Sequence, residues 1–230
     1  MKELLTAGLS ALNLPTEGIP SLERYAELLV EKNKVMNLTA ITEPRDVATL
    51  HFLDCAALLT LAEFKGKKVA DVGTGAGFPG MPLRILEPSM DITLLDSLNK
   101  RIDFLKEVCE DLGLSDVDCV HARAEEFAAE HRESYDIVTS RAVANLQMLC
   151  ELCLPLVKVG GCMVALKGPD CAAEIEAAQN AIKILGGKLK LVKEYDLADA
   201  GSRTLVVIEK VAHTPPKYPR QRVKLNEKPL

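Results

Sequence analysis

Aromatic residues are scarce in this chain of 230 residues, which has no tryptophan and only 4% aromatic residues. Such a sequence offers a poor platform for stacking nucleic-acid bases, with Tyr25, Phe78 and Tyr218 as the few candidates. The chain also lacks an apolar run near the ~18 residues that a membrane span requires. After Met1 there is no basic head and apolar stretch of the kind found in secretory signals. We therefore expect a cytoplasmic protein with no membrane partner.

The seven cysteines are an odd number and lie scattered through stretches with helix or strand patterns. This distribution is typical of reduced thiols and not of a disulfide framework. Cys150 and Cys153 form the only close pair in the sequence, and a structural zinc site requires four ligands. Since no second pair or histidine cluster exists, we expect no metal site.

The formal net charge is −5, which excludes a protein that coats nucleic acid through bulk electrostatic attraction. The C-terminal segment is basic, in contrast to the chain as a whole, because residues 212–230 carry five basic residues and one acidic residue, Glu227. The basic residues of this segment are Lys217, Arg220, Arg222, Lys224 and Lys228.

The pattern of apolar residues divides the chain into three parts. Residues 1–64 have helical spacing and predict an N-terminal helical cap, with one helix from a capping Ser21 to Met36 and another from Thr42 to about Leu61. Residues 65–211 alternate between strand and helix patterns. Residues 212–230 contain four prolines, cannot join a sheet interior, and are expected to be extended over the surface or disordered.

In the central part, β-branched runs predict strands that alternate with amphipathic helices. The predicted strands are residues 68–72, 92–96, 117–121, 136–140, 163–167, 188–195 and 204–210. The predicted helices are residues 82–86, 100–112, 124–130, 146–157 and 172–185. The last two strands are separated by a loop alone and should form an antiparallel hairpin. The pattern therefore predicts an α/β fold similar to the Rossmann-like class I methyltransferases, with a seven-stranded, mostly parallel sheet and an antiparallel last strand.

The most informative segment follows the first predicted strand and reads Asp71-Val72-Gly73-Thr74-Gly75-Ala76-Gly77-Phe78-Pro79-Gly80. Glycines at alternate positions let the backbone approach a ligand closely at the carboxyl end of the strand. A dinucleotide-binding turn would require glycine at position 78, where this chain has phenylalanine, and an immediate helix. A methyltransferase turn has an acid two residues before its first glycine, as Asp71 is here. This comparison favours S-adenosylmethionine as the cofactor.

Several acidic residues are placed to contact that cofactor. A carboxylate at Asp71, beside the turn, could accept hydrogen bonds from the ammonium of the methionine moiety, directly or through water. Asp96 ends the second strand and could accept both ribose hydroxyls, although dehydrogenases use an acid at the same place. Ala124 and Glu125 follow the third strand and could contact the adenine edge, but a glutamate there commonly interacts with its helix N-terminus instead.

Three basic residues are predicted near the same edge of the sheet. Arg141 follows the fourth strand, Lys167 ends the fifth, and Arg203 begins the last. Because the carboxyl ends of parallel strands share one edge, these side chains should surround the cofactor crevice. We expect them to hold phosphate or a base edge of RNA.

The glycine-turn segment resembles the hallmark of the RsmG family, also called glucose-inhibited division protein B, and the resemblance extends over nearly the whole chain. Its further landmarks are Asn37-Leu38-Thr39, His51 with Asp54, Leu95-Asp96-Ser97, Lys100-Arg101, Arg123-Ala124-Glu125, Ser140-Arg141-Ala142, Lys167-Gly168, Tyr218-Pro219-Arg220 and Pro229-Leu230. The resemblance implies methylation of guanine N7 in small-subunit (16S) ribosomal RNA, with S-adenosylhomocysteine as the product. The resemblance also implies that Gly73, Phe78, Ala124, Glu125 and Arg141 contact the cofactor, and the positions of the turn and the strand ends add Asp71, Gly75, Gly77 and Asp96. Those expected to contact RNA are Asn37, Arg123, Lys167, Arg203 and Arg220.

Chemistry at N7 requires no deprotonation, since this nitrogen carries a free lone pair. We therefore expect no obligatory general base, and we interpret His51 as a structural hydrogen-bonding residue. The expected partner is ribosomal RNA within the small subunit or its assembly intermediate, bound by a monomer. Two alternatives remain open, namely a methyltransferase of the same fold acting on a metabolite or protein, and a non-catalytic RNA-binding assembly factor.

Overall fold

The computed structural model describes residues 1–141, 144–197, 201–221, 225, 227 and 229–230, and its centre is a twisted seven-stranded sheet. The strand order across the sheet is β3-β2-β1-β4-β5-β7-β6. The strands are β1 (Lys68–Val72), β2 (Asp91–Asp96), β3 (Val117–His121), β4 (Tyr135–Arg141), β5 (Val157–Lys167), β6 (Gly187–Leu197) and β7 (Gly201–Lys210).

The direction of the strands confirms the predicted fold class. Parallel pairing joins β1 to β2 and β4, β2 to β3, and β4 to β5. The last strand, β7, runs antiparallel to both β5 and β6, as the predicted hairpin requires. Because β1, β2 and β4 are parallel neighbours, Val72, Asp96 and Arg141 end their strands at one edge of the sheet.

Helices cover both faces of the sheet, and most of their bounds agree with the sequence pattern. They are α5 (Gly80–Leu86), α6 (Asn99–Asp111), α7 (Ala124–Glu130), α8 (Leu146–Cys153) and α9 (Ala172–Ile184), after the four N-terminal helices described below. The prediction that the eighth helix extends to Val157 is wrong, because the helix ends at Cys153 and Val157 begins β5. Pro155 cannot continue a helix, since it lacks a backbone N–H.

The first part of the chain forms α1 (Lys2–Ala11), α2 (Ile19–Met36), α3 (Pro44–Asp46) and α4 (Asp54–Ala57). Helix α2 begins at Ile19 with Gly18 as its N-cap, so the predicted cap at Ser21 is wrong. Glu43, not Thr42, precedes the first turn of α3. The stretch expected as one helix is helical without a break from Pro44 to Thr60, but its hydrogen-bond pattern changes along the way, with a π-helical segment (Val47–Leu53) between α3 and α4 and a 3₁₀ turn (Leu58–Thr60) at the end.

Two hydrophobic clusters fill the space on either side of the sheet. One joins the N-terminal helices to α5, α6 and the adjoining sheet face, and it includes Leu22, Tyr25, Phe52 and Phe104. The other packs α8 and α9 against the opposite face. The N-terminal helices therefore share a continuous core with the sheet that carries the glycine turn.

The C-terminal segment is packed against the body as far as the structure describes it. The guanidinium of Arg132 donates to the backbone carbonyls of Thr214, Pro215 and Tyr218. Thr214 and Tyr218 are buried. Arg222, Lys224 and Lys228, which contribute to the basic charge of the tail, lie outside the described residues. No described helix combines the length and apolarity of a membrane span.

Candidate active site

The glycine turn is fixed to the end of β2 by backbone hydrogen bonds. The amides of Gly73 and Thr74 both donate to the carbonyl of Leu95, at 2.8 and 3.0 Å. The amide of Gly75 donates to Oδ2 of Asp96 at 2.9 Å. Gly73 and Gly75 have φ angles of 70° and 63°, in the region that glycine adopts without strain. The sequence thus supplies glycine where the chain must reverse beside Asp96.

Gly75 and Gly77 both have positive φ, but their surroundings differ. A Cβ atom added at Gly75 would have no atom within 4 Å, because this residue borders an open cavity. A Cβ atom at Gly77 would lie 2.6 Å from Oη of Tyr25 and 2.8 Å from Cδ2 of Leu105. The structure therefore brings Gly73 and Gly75 to the cavity, whereas Gly77 lets the turn pack against α2 and α6.

Asp71 lies beneath the turn and not in the cavity. Its carboxylate is fully buried, with Oδ2 accepting from Oγ1 of Thr74 at 2.6 Å and from the amide of Gly80 at 2.9 Å. Oδ1 accepts from Oγ1 of Thr139 at 3.3 Å. Burial raises the pKa of this carboxyl group to about 6. The expectation that Asp71 faces a cofactor ammonium does not agree with this placement, because internal donors already occupy both oxygens.

A cavity of about 390 Å³ opens above the turn, at the carboxyl edge of β1, β2 and β4. In open α/β sheets ligands bind at this edge. Its lining comprises Gly73, Thr74, Gly75, Ala76 and Phe78 from the turn, Asp96, Ser97 and Arg101 after β2, Arg141 after β4, and Leu38, Thr39 and His51 from the N-terminal part.

Asp96 is the acidic side chain among the described residues that line the cavity. It is 3% exposed, and its Oδ2 accepts from Gly75 and from the guanidinium of Arg101 at 3.2 Å. Its Oδ1 accepts from the amide of Leu98 at 2.9 Å. An ionised carboxylate has about four lone-pair sites, so capacity remains for hydroxyl donors of a ligand. The predicted position of Asp96 beside the turn agrees with the structure.

Arg141, His51 and Phe78 form one wall of the cavity. The guanidinium of Arg141 lies 4.8 Å from the ring centroid of Phe78, and the His51 ring stacks on the same phenyl group at 4.2 Å. Arg141 also donates to Nδ1 of His51 at 3.0 Å and to the carbonyl of Leu50 at 3.3 Å. Its ion pair with Asp54 measures 3.4 Å. Arg141 therefore joins β4 to the π-helical segment.

His51 is held in its neutral form. The residue is 6% exposed, and burial together with the charge of Arg141 lowers its pKa to about 3. A group with this pKa does not take up a proton near neutral pH. The position of His51 agrees with the interpretation that it is a structural hydrogen-bonding residue.

Ala124 and Glu125 begin α7 after β3 and are not among the described residues that line the cavity. Ala124 packs against the hydrophobic cluster on the α8 side of the sheet. Oε2 of Glu125 is buried and has no hydrogen-bond partner among the described residues. A buried carboxylate oxygen without a partner is unfavourable, so this atom has unused capacity for a donor.

Lys167 and Arg203, which were predicted to contact RNA at the sheet edge, pair with acidic side chains of the protein itself. The ammonium of Lys167 pairs with Glu174 at 2.9 Å and donates to the carbonyl of Ala144 at 3.0 Å. Nε of Arg203 lies 3.9 Å from Oδ2 of Asp54. Neither side chain lines the described cavity. The expectation that both surround it as a rim of positive charge does not agree with these pairings.

The contacts of Arg220 do not agree with its predicted contact with RNA, because its side chain is paired with Glu151. Its Nε and Nη2 donate to the carboxylate of Glu151 at 2.8 and 2.7 Å, and its amide donates to the same group at 2.8 Å. Glu151 is 1% exposed, so this interaction anchors the C-terminal segment to α8. Asn37 and Arg123, by contrast, are exposed, the first as the left-handed C-cap of α2 and the second as the N-cap of α7.

Thr39, Ser97 and Arg101 line the cavity but were not selected as site residues from the sequence. Ser97 and Arg101 follow the strand that ends at Asp96, so the same strand-edge argument extends to them. Thr39 lies far from the glycine turn in sequence, and only the packing of the N-terminal part brings it to the cavity.

Comparison with known proteins identifies relatives over most of the chain. The family model described as "GidB: rRNA small subunit methyltransferase G" matches residues 18–205. The Ribosomal RNA small subunit methyltransferase G of Alkaliphilus metalliredigens is 50% identical over 216 residues, covering 92% of this chain and 90% of that protein. The protein of the same name from Clostridium tetani is 47% identical over 211 residues, covering 90% and 88% of the two chains.

Solved structures share the fold at low sequence identity. A variant of MtNAS in complex with S-adenosylmethionine has a TM-score of 0.59 at 15% identity and covers 85% of this chain and 74% of that chain. TYW2 of M. jannaschii in complex with AdoMet has a TM-score of 0.55 at 16% identity and covers 69% and 75%. These likenesses place the chain in the class I methyltransferase fold.

Proposed function

Because the chain belongs to the GidB family, rRNA small subunit methyltransferase G, we propose that it transfers a methyl group from S-adenosylmethionine to N7 of one guanine in 16S ribosomal RNA. The cavity above the glycine turn, with Asp96 at its base, is the observation that carries this proposal. It combines a close backbone approach with an acceptor for nucleoside hydroxyls at the edge where such folds bind ligands.

The chemistry of the cavity fits the proposed cofactor. Gly75 leaves open space where any side chain would project, and Asp96 can accept the two ribose hydroxyls. Arg101 and Arg141 offer guanidinium groups to a carboxylate such as that of methionine. Outside the described lining of the cavity, the buried Oε2 of Glu125 has no partner among the described residues and has the capacity to accept from an amino group such as that of adenine. Asp71 contributes by holding the turn from beneath.

S-adenosylmethionine supplies an electrophilic methyl group when it is bound. The lone pair of guanine N7 attacks such a group without losing a proton, so the protein needs no base. His51 is held between two hydrogen-bond partners and Asp71 is enclosed by donors, so we assign neither of them a proton transfer. The role of the chain is to hold the two reactants about 3 to 3.5 Å apart, which lowers the barrier by several kcal/mol.

On the RNA side, we propose that the substrate is the small subunit or an assembly intermediate, bound by a monomer in the cytoplasm. N7 lies in the deep major groove of A-form RNA, so the target base must be unstacked or exposed during assembly. The described residues 1–141, 144–197 and 201–221 hold few aromatic side chains for stacking. Recognition by the shape of a particle would compensate for that scarcity.

Methyl transfer from radiolabelled S-adenosylmethionine to purified small subunits, followed by nucleoside analysis, tests the proposal. The expected product is 7-methylguanosine at one position, with naked 16S transcript a much poorer acceptor. Label in protein or in a small molecule would identify another substrate class. Binding of the cofactor without any transfer would favour a non-catalytic assembly factor. Equal rates with naked RNA would contradict the proposed particle substrate.

A further inference from the structure

The loop after α2 is fixed by one side chain. Oδ1 of Asn33 accepts from the amides of Leu38 and Thr39 at 2.6 and 2.9 Å, and its Nδ2 donates to the carbonyl of Thr39 at 2.9 Å. The turn between them depends on Asn37, which adopts a left-handed conformation with φ 47°. Both ends of the Thr39 backbone unit are thereby held, and the residue lines the cavity in a defined position.

A chain of hydrogen bonds then fixes the direction in which each proton is donated. A guanidinium has no acceptor atom, so Arg141 donates to Nδ1 of His51. The neutral imidazole therefore carries its proton on Nε2, which lies 3.1 Å from Oγ1 of Thr39 and donates to it. The amide of Ile41 donates to the same oxygen at 3.0 Å.

These two donors occupy both acceptor positions of the Thr39 hydroxyl. A hydroxyl group has two lone pairs and one proton, so the Thr39 hydroxyl can still donate its proton to a further acceptor. Among the described residues none lies within hydrogen-bond reach of it. Thr39 therefore presents a donor, and not an acceptor, to whatever occupies the cavity.

We propose that the Thr39 hydroxyl recognises the target base by donating a hydrogen bond to O6 of guanine, the acceptor next to N7. The inference rests on the proposed function and adds to it the means of base selection. Adenine carries an amino donor at the same place. A group restricted to donation therefore accepts guanine and opposes adenine. The cofactor carboxylate is the competing acceptor, but Arg101 and Arg141 in the same cavity match its charge better than a neutral hydroxyl does.

The test compares Thr39→Val, which keeps the approximate shape but removes the hydroxyl together with its bonds from His51 and Ile41, with Thr39→Ser, which keeps the hydroxyl as donor and acceptor. With small subunits as substrate, Thr39→Val should lower kcat/KM roughly tenfold, a typical effect of one lost hydrogen bond to a substrate. Thr39→Ser should remain close to wild type. The Kd for S-adenosylmethionine, measured by calorimetry, should be unchanged in both variants. A weakened Kd in Thr39→Val would assign the donor to the cofactor and overturn the inference.

A change in the substrate tests the same contact without altering the protein. Small subunits reconstituted with 2-aminopurine at the target position lack O6 and keep N7. The wild type should methylate them roughly tenfold more slowly than guanine subunits, and Thr39→Val should show no such difference. Equal rates for the two substrates with the wild type would overturn the inference. The proposed function fails separately, if the wild type forms no 7-methylguanosine on guanine subunits.

Discussion

Tyr25 of α2 packs against Phe78 of the glycine turn, with ring centroids 5.6 Å apart and planes inclined by 33°. The Tyr25 hydroxyl also donates to the carbonyl of Ala76, within the same turn. The N-terminal helices thus contact the backbone that forms the cavity floor. This contact makes the shape of the site dependent on helices that precede the sheet in sequence.

Replacement of Gly77 by alanine should destabilise the fold. The new Cβ would lie 2.6 Å from Oη of Tyr25 and 2.8 Å from Cδ2 of Leu105, at a φ of 107°. We expect a loss of about 2–4 kcal/mol in the free energy of unfolding, from steric overlap and backbone strain together. Urea denaturation followed by circular dichroism measures this change.

Gly75→Ala is the matched comparison within the same turn. Its φ of 63° carries a cost of roughly 1 kcal/mol for alanine, but the Cβ meets no atom within 4 Å. The variant should remain folded and lose affinity for S-adenosylmethionine, because its methyl group occupies cavity space. If both variants lost the same free energy of unfolding, this would contradict the assignment of Gly77 to packing and of Gly75 to the cavity.

Asp71→Asn should weaken the turn through its hydrogen bonds. The amide nitrogen of asparagine cannot accept a hydrogen bond, so at the Oδ2 position it loses the bonds from Thr74 and Gly80, and at the Oδ1 position it loses the bond from Thr139. We expect about 1–3 kcal/mol of destabilisation and weaker binding of the cofactor. Asp103→Asn, at an exposed position of α6, serves as the control and should change neither quantity. A stable Asp71→Asn protein with full affinity would contradict the assigned role.

His51 should make stability depend on pH. Its pKa is about 3 in the folded protein against 6.5 in the unfolded chain, so only the unfolded chain gains a proton between these values. The free energy of unfolding should therefore rise as pH increases through this window, by up to ~1.4 kcal/mol per pH unit.

Asp71 acts in the opposite direction, because its pKa rises from 3.8 to about 6 on folding. The folded protein binds the extra proton in that interval, which lowers stability as pH rises. The informative quantity is thus the difference between wild type and His51→Gln, measured by urea denaturation at several pH values. That difference should shift in favour of the wild type as pH rises from roughly 4 to 6.5. A pH-independent difference would mean that His51 is not held neutral.

Arg220→Ala should act on stability and not on catalysis. Removing the guanidinium leaves the carboxylate of Glu151, which is 1% exposed, without its charged partner. Breaking a buried pair in this way typically costs about 3–5 kcal/mol. The double variant Glu151→Met/Arg220→Met removes both charges and should recover part of the loss. Unchanged unfolding with a higher KM for small subunits would instead support RNA contact by Arg220.

The sheet and the location of the site were predictable from the sequence. Strand runs rich in β-branched residues gave the order of elements, and the rule that ligands bind at the carboxyl ends of parallel strands selected Asp96 and Arg141. The local sequence pattern predicts both the order of the elements and the location of the site, because the glycine turn directly follows a strand. The pairing of Lys167 with Glu174 was not predictable, since it depends on how α9 packs against β5.

The direction of individual side chains was also not predictable. From the sequence, the side chain of Asp71 could face the cavity or the interior. It faces the interior because Thr74, Gly80 and Thr139 donate hydrogen bonds to it there. Thr39 reaches the cavity from the N-terminal part through contacts that are distant in sequence. Such contacts leave no periodic pattern along the chain.

Titration calorimetry of the purified full chain with S-adenosylmethionine and S-adenosylhomocysteine tests the central claim most directly. The account predicts that each compound binds at one site per chain and that Gly75→Ala weakens both interactions while the protein stays folded. Absence of binding by the folded wild type, or affinities unchanged by Gly75→Ala, would contradict the assignment of this cavity to the cofactor.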